Sequence, residues 1–233
     1  MSKTHLFFIA VFISLFFSVL AGCKEQPVEP EAPSLNFATQ AEAFQASQNL
    51  SNYTANPYAQ LTYAYVTSLQ SIFVAYSSFL TVPPNATGIG NNTWTWGDGA
   101  GNTINYSWSS NGGNNCVQIS LNGPSVTNGV YYEFCEKQDG SSGWMKIFDP
   151  EDNGKLIIEA IWTVTGQDAG TMEWNDYGSG EKQVITWKAD GSGTLNIYEN
   201  NVLTYESSWN ADGTGSYKEY DAQGLLQDAG TWG

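Results

Sequence analysis

The chain has 233 residues, 41% of them hydrophobic, enough for one large β domain or a smaller domain with appendages. Its 8 Lys+Arg, all of them lysine, face 23 Asp+Glu for a net charge of -15, and the one histidine is His5. So few cations disfavour nucleic-acid or polyphosphate partners, and a histidine confined to the extreme N-terminus takes imidazole out of any mechanism in a processed chain.

Residues 1–22 read as a signal peptide. Lys3 supplies the positive start, and Leu6 to Leu20 is an apolar run broken only by Ser14 and Ser18. The run is shorter than the roughly 20 residues of a membrane span. Its end, Leu20-Ala21-Gly22-Cys23, resembles the lipobox of bacterial lipoproteins. The resemblance implies cleavage before Cys23, a lipid on its sulfur and acylation of the new amino end, hence a stable membrane anchor. By resemblance to the lipoproteins of diderm bacteria, an Asp after the cysteine would imply inner-membrane retention; Lys24 stands there, which implies the outer membrane of the cell envelope, facing the periplasm or the cell surface. The pair Lys24-Glu25 also resembles surface-export signals of Bacteroidetes-type lipoproteins. Residues 23–36 then form a tether. Pro27, Pro30 and Pro33 alternate with Glu25, Glu29 and Glu31, which favours an extended chain reaching roughly 40 Å from the lipid.

Residues 37–84 read as helical, and no charge occurs from Ala43 to Gly97. A short helix is expected over Phe37–Gln48. Asn56 followed by Pro57 is a cap followed by a favoured first helical residue. Tyr58, Leu61, Tyr65, Leu69, Ile72, Tyr76 and Phe79 then recur at steps of three and four until Pro83-Pro84. The stripe favours a helix docked on a sheet over one that lines a cavity.

From about 93 to 233 the chain repeats itself. Trp187-Lys-Ala-Asp-Gly-Ser-Gly-Thr aligns with Trp209-Asn-Ala-Asp-Gly-Thr-Gly-Ser, and Trp232 closes the next unit, a period of about 22–23 residues. Asp-Gly pairs at Asp98, Asp139, Asp190 and Asp212 mark tight turns between segments rich in Val, Ile, Thr, Tyr and Trp. Strands are expected to start near 94, 103, 116, 129, 143, 155, 169, 182, 193, 202, 214 and 225. The expected fold is mainly β: an up-and-down antiparallel meander of about 10–12 strands, curled into a barrel or half-barrel, with the helical segment packed on it. The units resemble MORN-type repeats and the hairpin repeats of YwqK-type antitoxin-like proteins, on Gly215-Ser-Tyr-Lys-Glu-Tyr-Asp-Ala-Gln-Gly224-Leu and its copy near Gly143–Leu156. Gly230-Thr231-Trp232 keeps the end of the MORN pattern, while Asp228 replaces its Tyr. That resemblance implies scaffolding or binding.

Cys116 and Cys135 lie in consecutive expected strands. Setting them opposite each other also pairs Val117 with Phe134, Ile119 with Tyr132 and Leu121 with Val130, so one register satisfies a disulfide and an apolar face together. Export delivers the chain to a compartment where such a bond persists.

Catalytic triads lack their histidine and His/Cys zinc sites lack ligands. A two-carboxylate hydrolase stays open, but most acids sit in turns; Glu159 is the exception, within a strand-like run. Asp149-Pro-Glu-Asp-Asn-Gly154 has calcium-loop spacing, yet its twelfth position is Ala160 and it reads as a turn. No enzyme, cofactor or metal is expected. Trp162, Trp187, Trp209 and Trp232 recur once per hairpin and read as core. Trp94, Trp96 and Trp108 fall outside that period and are the candidates for ligand-facing aromatics. Three functions remain in play: a non-enzymatic binding or carrier module for a lipid or other hydrophobic ligand, a glycan-binding module, and an interaction protein with no small ligand. The layout is similar to the half-barrels of LolA/LolB and LppX-type lipoproteins, whose resemblance implies the first.

Overall fold

The computed structural model describes residues 44–166 and 169–233. The signal peptide, Cys23, the tether 23–36 and the start of the short helix expected at 37–48 lie outside them. From Phe44 to Tyr53 the chain forms a 3-10 helix. Helix α1 runs from Pro57 to Ser77 and ends in a 3-10 turn, Ser78–Leu80. The Asn56 side-chain oxygen accepts the amides of Tyr58 at 2.9 Å and Ala59 at 3.3 Å, so the expected cap is made.

Thirteen strands follow. They are β1 (Thr87–Gly90), β2 (Thr93–Gly97), β3 (Thr103–Asn111), β4 (Asn114–Asn122), β5 (Gly129–Lys137), β6 (Ser142–Asp149) and β7 (Lys155–Gly166). Then come β8 (Ala169–Asp176), β9 (Glu181–Trp187), β10 (Gly193–Glu199), β11 (Val202–Trp209), β12 (Gly215–Tyr220) and β13 (Leu226–Trp232). Each pairs antiparallel with the next in one sheet, so the meander is up-and-down throughout. The sheet curls but does not close, since β1 and β13 keep a free edge each. The half-barrel alternative is therefore the one realised. The count exceeds the expected ten to twelve by β1. Its Thr-Gly-Ile-Gly has no alternating pattern; what makes it a strand is the turn after it, where Gly90, Asn91 and Asn92 take φ of 88°, 52° and 55° and fold it back on β2.

Side chains alternate across the sheet, and one face is core. On β8, Gly170, Met172 and Trp174 are buried while Thr171 and Glu173 between them are not. The core face is built on a glycine–tryptophan ladder. Gly143 pairs with Trp162, Gly170 with Trp187, Gly193 with Trp209 and Gly215 with Trp232. A Cβ on any of these glycines would overlap the indole opposite. The four rings are 1–4% exposed, so each fills the space its glycine leaves. Trp209 donates from Nε1 to the Gly191 carbonyl at 3.0 Å, and Trp232 to that of Gly213 at 2.7 Å, which ties each ring to the turn before the glycine it covers.

Those turns are built by their aspartates. Asp190 accepts the amide and hydroxyl of Ser192, and Asp212 those of Thr214. The same hydroxyl and amide hold both carboxyls below the ordinary carboxylate range. The Asp149–Gly154 segment is likewise a turn, with Asp149 accepting the amides of Glu151 and Asp152.

Cys116 and Cys135 are disulfide-bonded across β4 and β5, with Cα atoms 4.1 Å apart. Val117 faces Phe134 and Ile119 faces Tyr132 as expected, but Leu121 pairs with Gly129 and not Val130. A bulge at Tyr131 causes the shift. It lets the Tyr131 ring meet Phe79 edge-on at 6.0 Å instead of pointing away from the core.

Candidate functional site: the helix-covered face and its rims

A hollow half-barrel would offer its inner face to a ligand; here α1 lies across it. The helix is roughly 31 Å long, close to the seven strand spacings, roughly 34 Å, that separate β12 from β5. At its start Tyr58 stacks on Tyr217 of β12 with ring centroids 3.5 Å apart, its hydroxyl 2.9 Å from Asp228 and 3.1 Å from Glu219. At its end Tyr76 stacks on Tyr132 of β5, and the Tyr106 hydroxyl donates to the Leu80 carbonyl at 3.2 Å. Between them Ala59, Thr62, Val66 and Leu69 are 0–1% exposed. This line is rotated by about a fifth of a turn from the Tyr58–Tyr76 stripe read in the sequence. Closest approach to a sheet belongs to small side chains, and the tyrosines flank it. The Thr62 hydroxyl sits 2.9 Å from that of Tyr205 and 3.0 Å from that of Ser207, so buried hydroxyls satisfy one another under the helix.

One void under the end of the helix is small. Phe79, Thr81, Trp96, Ile104, Ile119, Leu121 and Tyr131 enclose about 10 Å³, against the roughly 300–1,000 Å³ of ordinary ligand pockets. Trp94 is 7% exposed, and Trp96 and Trp108 pack half-buried against the core. The three candidate ligand-facing aromatics are thus part of the packing: Trp94 meets Tyr106 edge-on, and Trp96 lines the 10 Å³ void. Cys116 and Cys135 face away from the helix, beside Gln118 and Glu133, which hydrogen-bond at 2.9 Å. Cys23 lies outside the described residues.

The outer face carries charge in pairs. Lys146 meets Glu159 at 3.4 Å, Lys182 meets Glu173 at 2.7 Å and Lys218 meets Glu206 at 3.0 Å. Glu159, the acid singled out in the sequence, also accepts the Tyr177 hydroxyl at 2.9 Å. Among the described residues no set of three or more His, Cys, Asp or Glu is placed to hold a metal ion. At the rim of β4–β7, Trp144, Ile161, Cys135, Asn114, Ser142 and Thr163 border an open depression of about 260 Å³ with Glu136 beneath.

One arrangement escaped the sequence reading. Asp176 pairs with Glu181, and Glu181 with Glu199, so three acids lie in one row across β8, β9 and β10. The row faces α1, because Gln183 and Ile185, two and four residues beyond Glu181, belong to the buried face. Tyr65 and Tyr76 look onto it. Burial and then Glu181 and Glu199 raise the Tyr65 hydroxyl pKa; burial and then Asp176 push that of Tyr76 up to about 12. The signal was present in the hairpin repeat: once two turns are set, the acids flanking them fall opposite one another.

No family model and no curated protein matches the chain. Among solved structures it is similar to one described as the crystal structure of the Osh1 ORD domain in complex with cholesterol, at 14% identity and a TM-score of 0.23. The match covers 84% of this chain and 52% of that one, about half its length. Likeness at that level transfers neither the fold nor the sterol.

Proposed function

We propose that the chain is an exported, lipid-anchored, non-enzymatic binding module of the cell envelope that meets its partners with its surface and carries no ligand inside. The observation that supports this most is the helix on the inner face: the void beside its C-terminal end, between Phe79, Trp96 and Tyr131, is about 10 Å³, far below what an acyl chain or sterol fills. The anchor rests on Leu20-Ala21-Gly22-Cys23 and on the Pro/Glu tether that holds the domain off the membrane. Glycan binding keeps one supporting feature, the depression in which Trp144 stands among Asn114, Ser142 and Thr163.

Native mass spectrometry of the protein, prepared with Cys23→Ser so that its own acyl chains are absent, tests the reading. The expected spectrum shows the bare polypeptide mass, and the Cys23→Ser protein leaves the membrane fraction. A lipid co-purifying at one per chain would overturn it in favour of a carrier.

A further inference from the structure

The depression at the rim of β4–β7 lies on the outer face of the sheet, away from α1. Alternation along the strands decides this. On β5 the buried Tyr132, Phe134 and Glu136 face the core, so Cys135 and Lys137 face outward. Trp144 pairs with Cys135 on one side and with Ile161 on the other, and Ser142 pairs with Thr163, so all of them share that outward face. Asn114 pairs with Lys137. The lining side chains therefore fall in two rows, two residues apart along each strand, about 7 Å. One row is apolar: the Cys116–Cys135 disulfide, the Trp144 ring and Ile161, which is 42% exposed. The other is polar: Asn114, Lys137, Ser142 and Thr163. Among the described residues the side chains of Asn114, Ser142 and Thr163 make no hydrogen bond of their own.

The ring is held in place before any ligand arrives. Lys146 Nζ sits over Trp144, 5.1 Å from the ring centroid, and is itself fixed by Glu159 at 3.4 Å. On the other side the disulfide pins β4 to β5. A second observation concerns charge. Four of the six described lysines, Lys146, Lys155, Lys182 and Lys218, are in ion pairs. Lys137 is one of the two that are not, and it stands exposed in the polar row. Its nearest acids in sequence do not neutralise it there, since Glu136 faces the core and Asp139 accepts the Ser141 amide in the β5–β6 turn.

A sugar ring has the matching two-sided character. Its C–H groups make an apolar patch that stacks on an indole, and its rim of hydroxyls hydrogen-bonds to amides and hydroxyls. An acyl chain would set hydrocarbon against the polar row and leave those groups without partners. The volume of about 260 Å³ falls just below the roughly 300–1,000 Å³ that encloses drug-sized molecules, which suits one or two sugar rings. The charged side chain that the two rows present is a cation, in a chain of net charge -15, so the ring that complements it carries a carboxylate. We infer that this depression binds a uronic-acid unit of an acidic glycan, stacked on Trp144 with its carboxylate toward Lys137. The site rests on the surface-binding reading above. A lipid found in native mass spectra would sink that reading and leave this site standing, whereas failure to bind the sugar would sink the site alone.

Titration calorimetry on the full chain, in a neutral detergent without a sugar headgroup, tests it with digalacturonic acid as the acidic probe and cellobiose as the neutral one. One-to-one binding of digalacturonic acid is expected, at least tenfold tighter than that of cellobiose. Trp144→Ala, which removes the stacking ring, and Ser142→Tyr, which fills the depression from its polar row, should each weaken it at least tenfold. Lys137→Gln should reduce it to the level of cellobiose, while Lys188→Gln, which removes the other lysine without an ion pair, should leave it unchanged. Ser142→Tyr and Lys137→Gln alter only the outer face, so their effects are read on a folded protein even where Trp144→Ala unfolds. No binding of digalacturonic acid, equal binding of cellobiose, undiminished binding in Ser142→Tyr, or equal losses in Lys137→Gln and Lys188→Gln would overturn the proposal.

Discussion

Trp209→Ala will cost the domain about 3–5 kcal/mol in urea or thermal unfolding, the range for deleting a buried tryptophan. The ring is 3% exposed, fills the place of the absent Gly193 side chain and donates to Gly191. Its loss removes the apolar contact, opens a cavity between β10 and β11 and leaves the Gly191 carbonyl without that donor. Domains of this size are stable by only about 5–15 kcal/mol, so the variant should sit near the edge of folding. The converse substitution tests the ladder itself. Gly193→Ala places a methyl group into the Trp209 indole and should cost about 1–3 kcal/mol as overpacking. Adding Trp209→Phe to Gly193→Ala should cost less than the sum of the two singles, since the smaller ring vacates the overlapped space. Strict additivity would show that the glycine and the ring do not share one volume.

Removing the disulfide ranks second. Cys116→Ala/Cys135→Ala is expected to lose roughly 3 kcal/mol, because the bond spans 19 residues and closes the loop between β4 and β5 in the unfolded chain. The pair lies on the face away from α1, so the change creates no cavity in the core and the native register should survive. Far-ultraviolet circular dichroism unchanged from the parent, with a lower urea midpoint, is the expected pair of results. A midpoint within error of the parent would mean that the loop 123–128 is already ordered when the chain unfolds.

Much of this architecture was legible because the repeat couples turn chemistry to strand length. Asp190-Gly191 and Asp212-Gly213 mark the turns, Trp187, Trp209 and Trp232 mark the core layer, and the strands between them start within two residues of where the period places them. The departures have local causes. Strand β1 is made by left-handed Asn91 and Asn92, not by any pattern in its own four residues. The β5 bulge follows from a contact between Tyr131 and Phe79, 52 residues apart, which no alternation rule on β5 contains. The buried face of α1 departs from the stripe because large residues dominate a sequence pattern, whereas the sheet is met by Ala59 and Thr62. Trp94, Trp96 and Trp108 stand outside the 22–23-residue period, yet the inner face continues to β2 and β3 and takes them in. The acidic row needed three strands in register before its members could be seen as neighbours.

Helix α1 packs as a permanent part of the core and not as a lid over a carrier cavity. Its buried anchors are Thr62 against Tyr205 and Ser207, Leu69 within the core, and Leu80 held by Tyr106. Native-state hydrogen exchange across a range of low urea concentrations measures this directly, because segments that open alone exchange with a smaller free energy than the whole. Amides of α1 around Val66 should exchange with the same free energy and the same urea dependence as those of β11. Exchange of α1 at a free energy several kcal/mol lower, with β11 still protected, would contradict it and make the inner face a site that the helix uncovers.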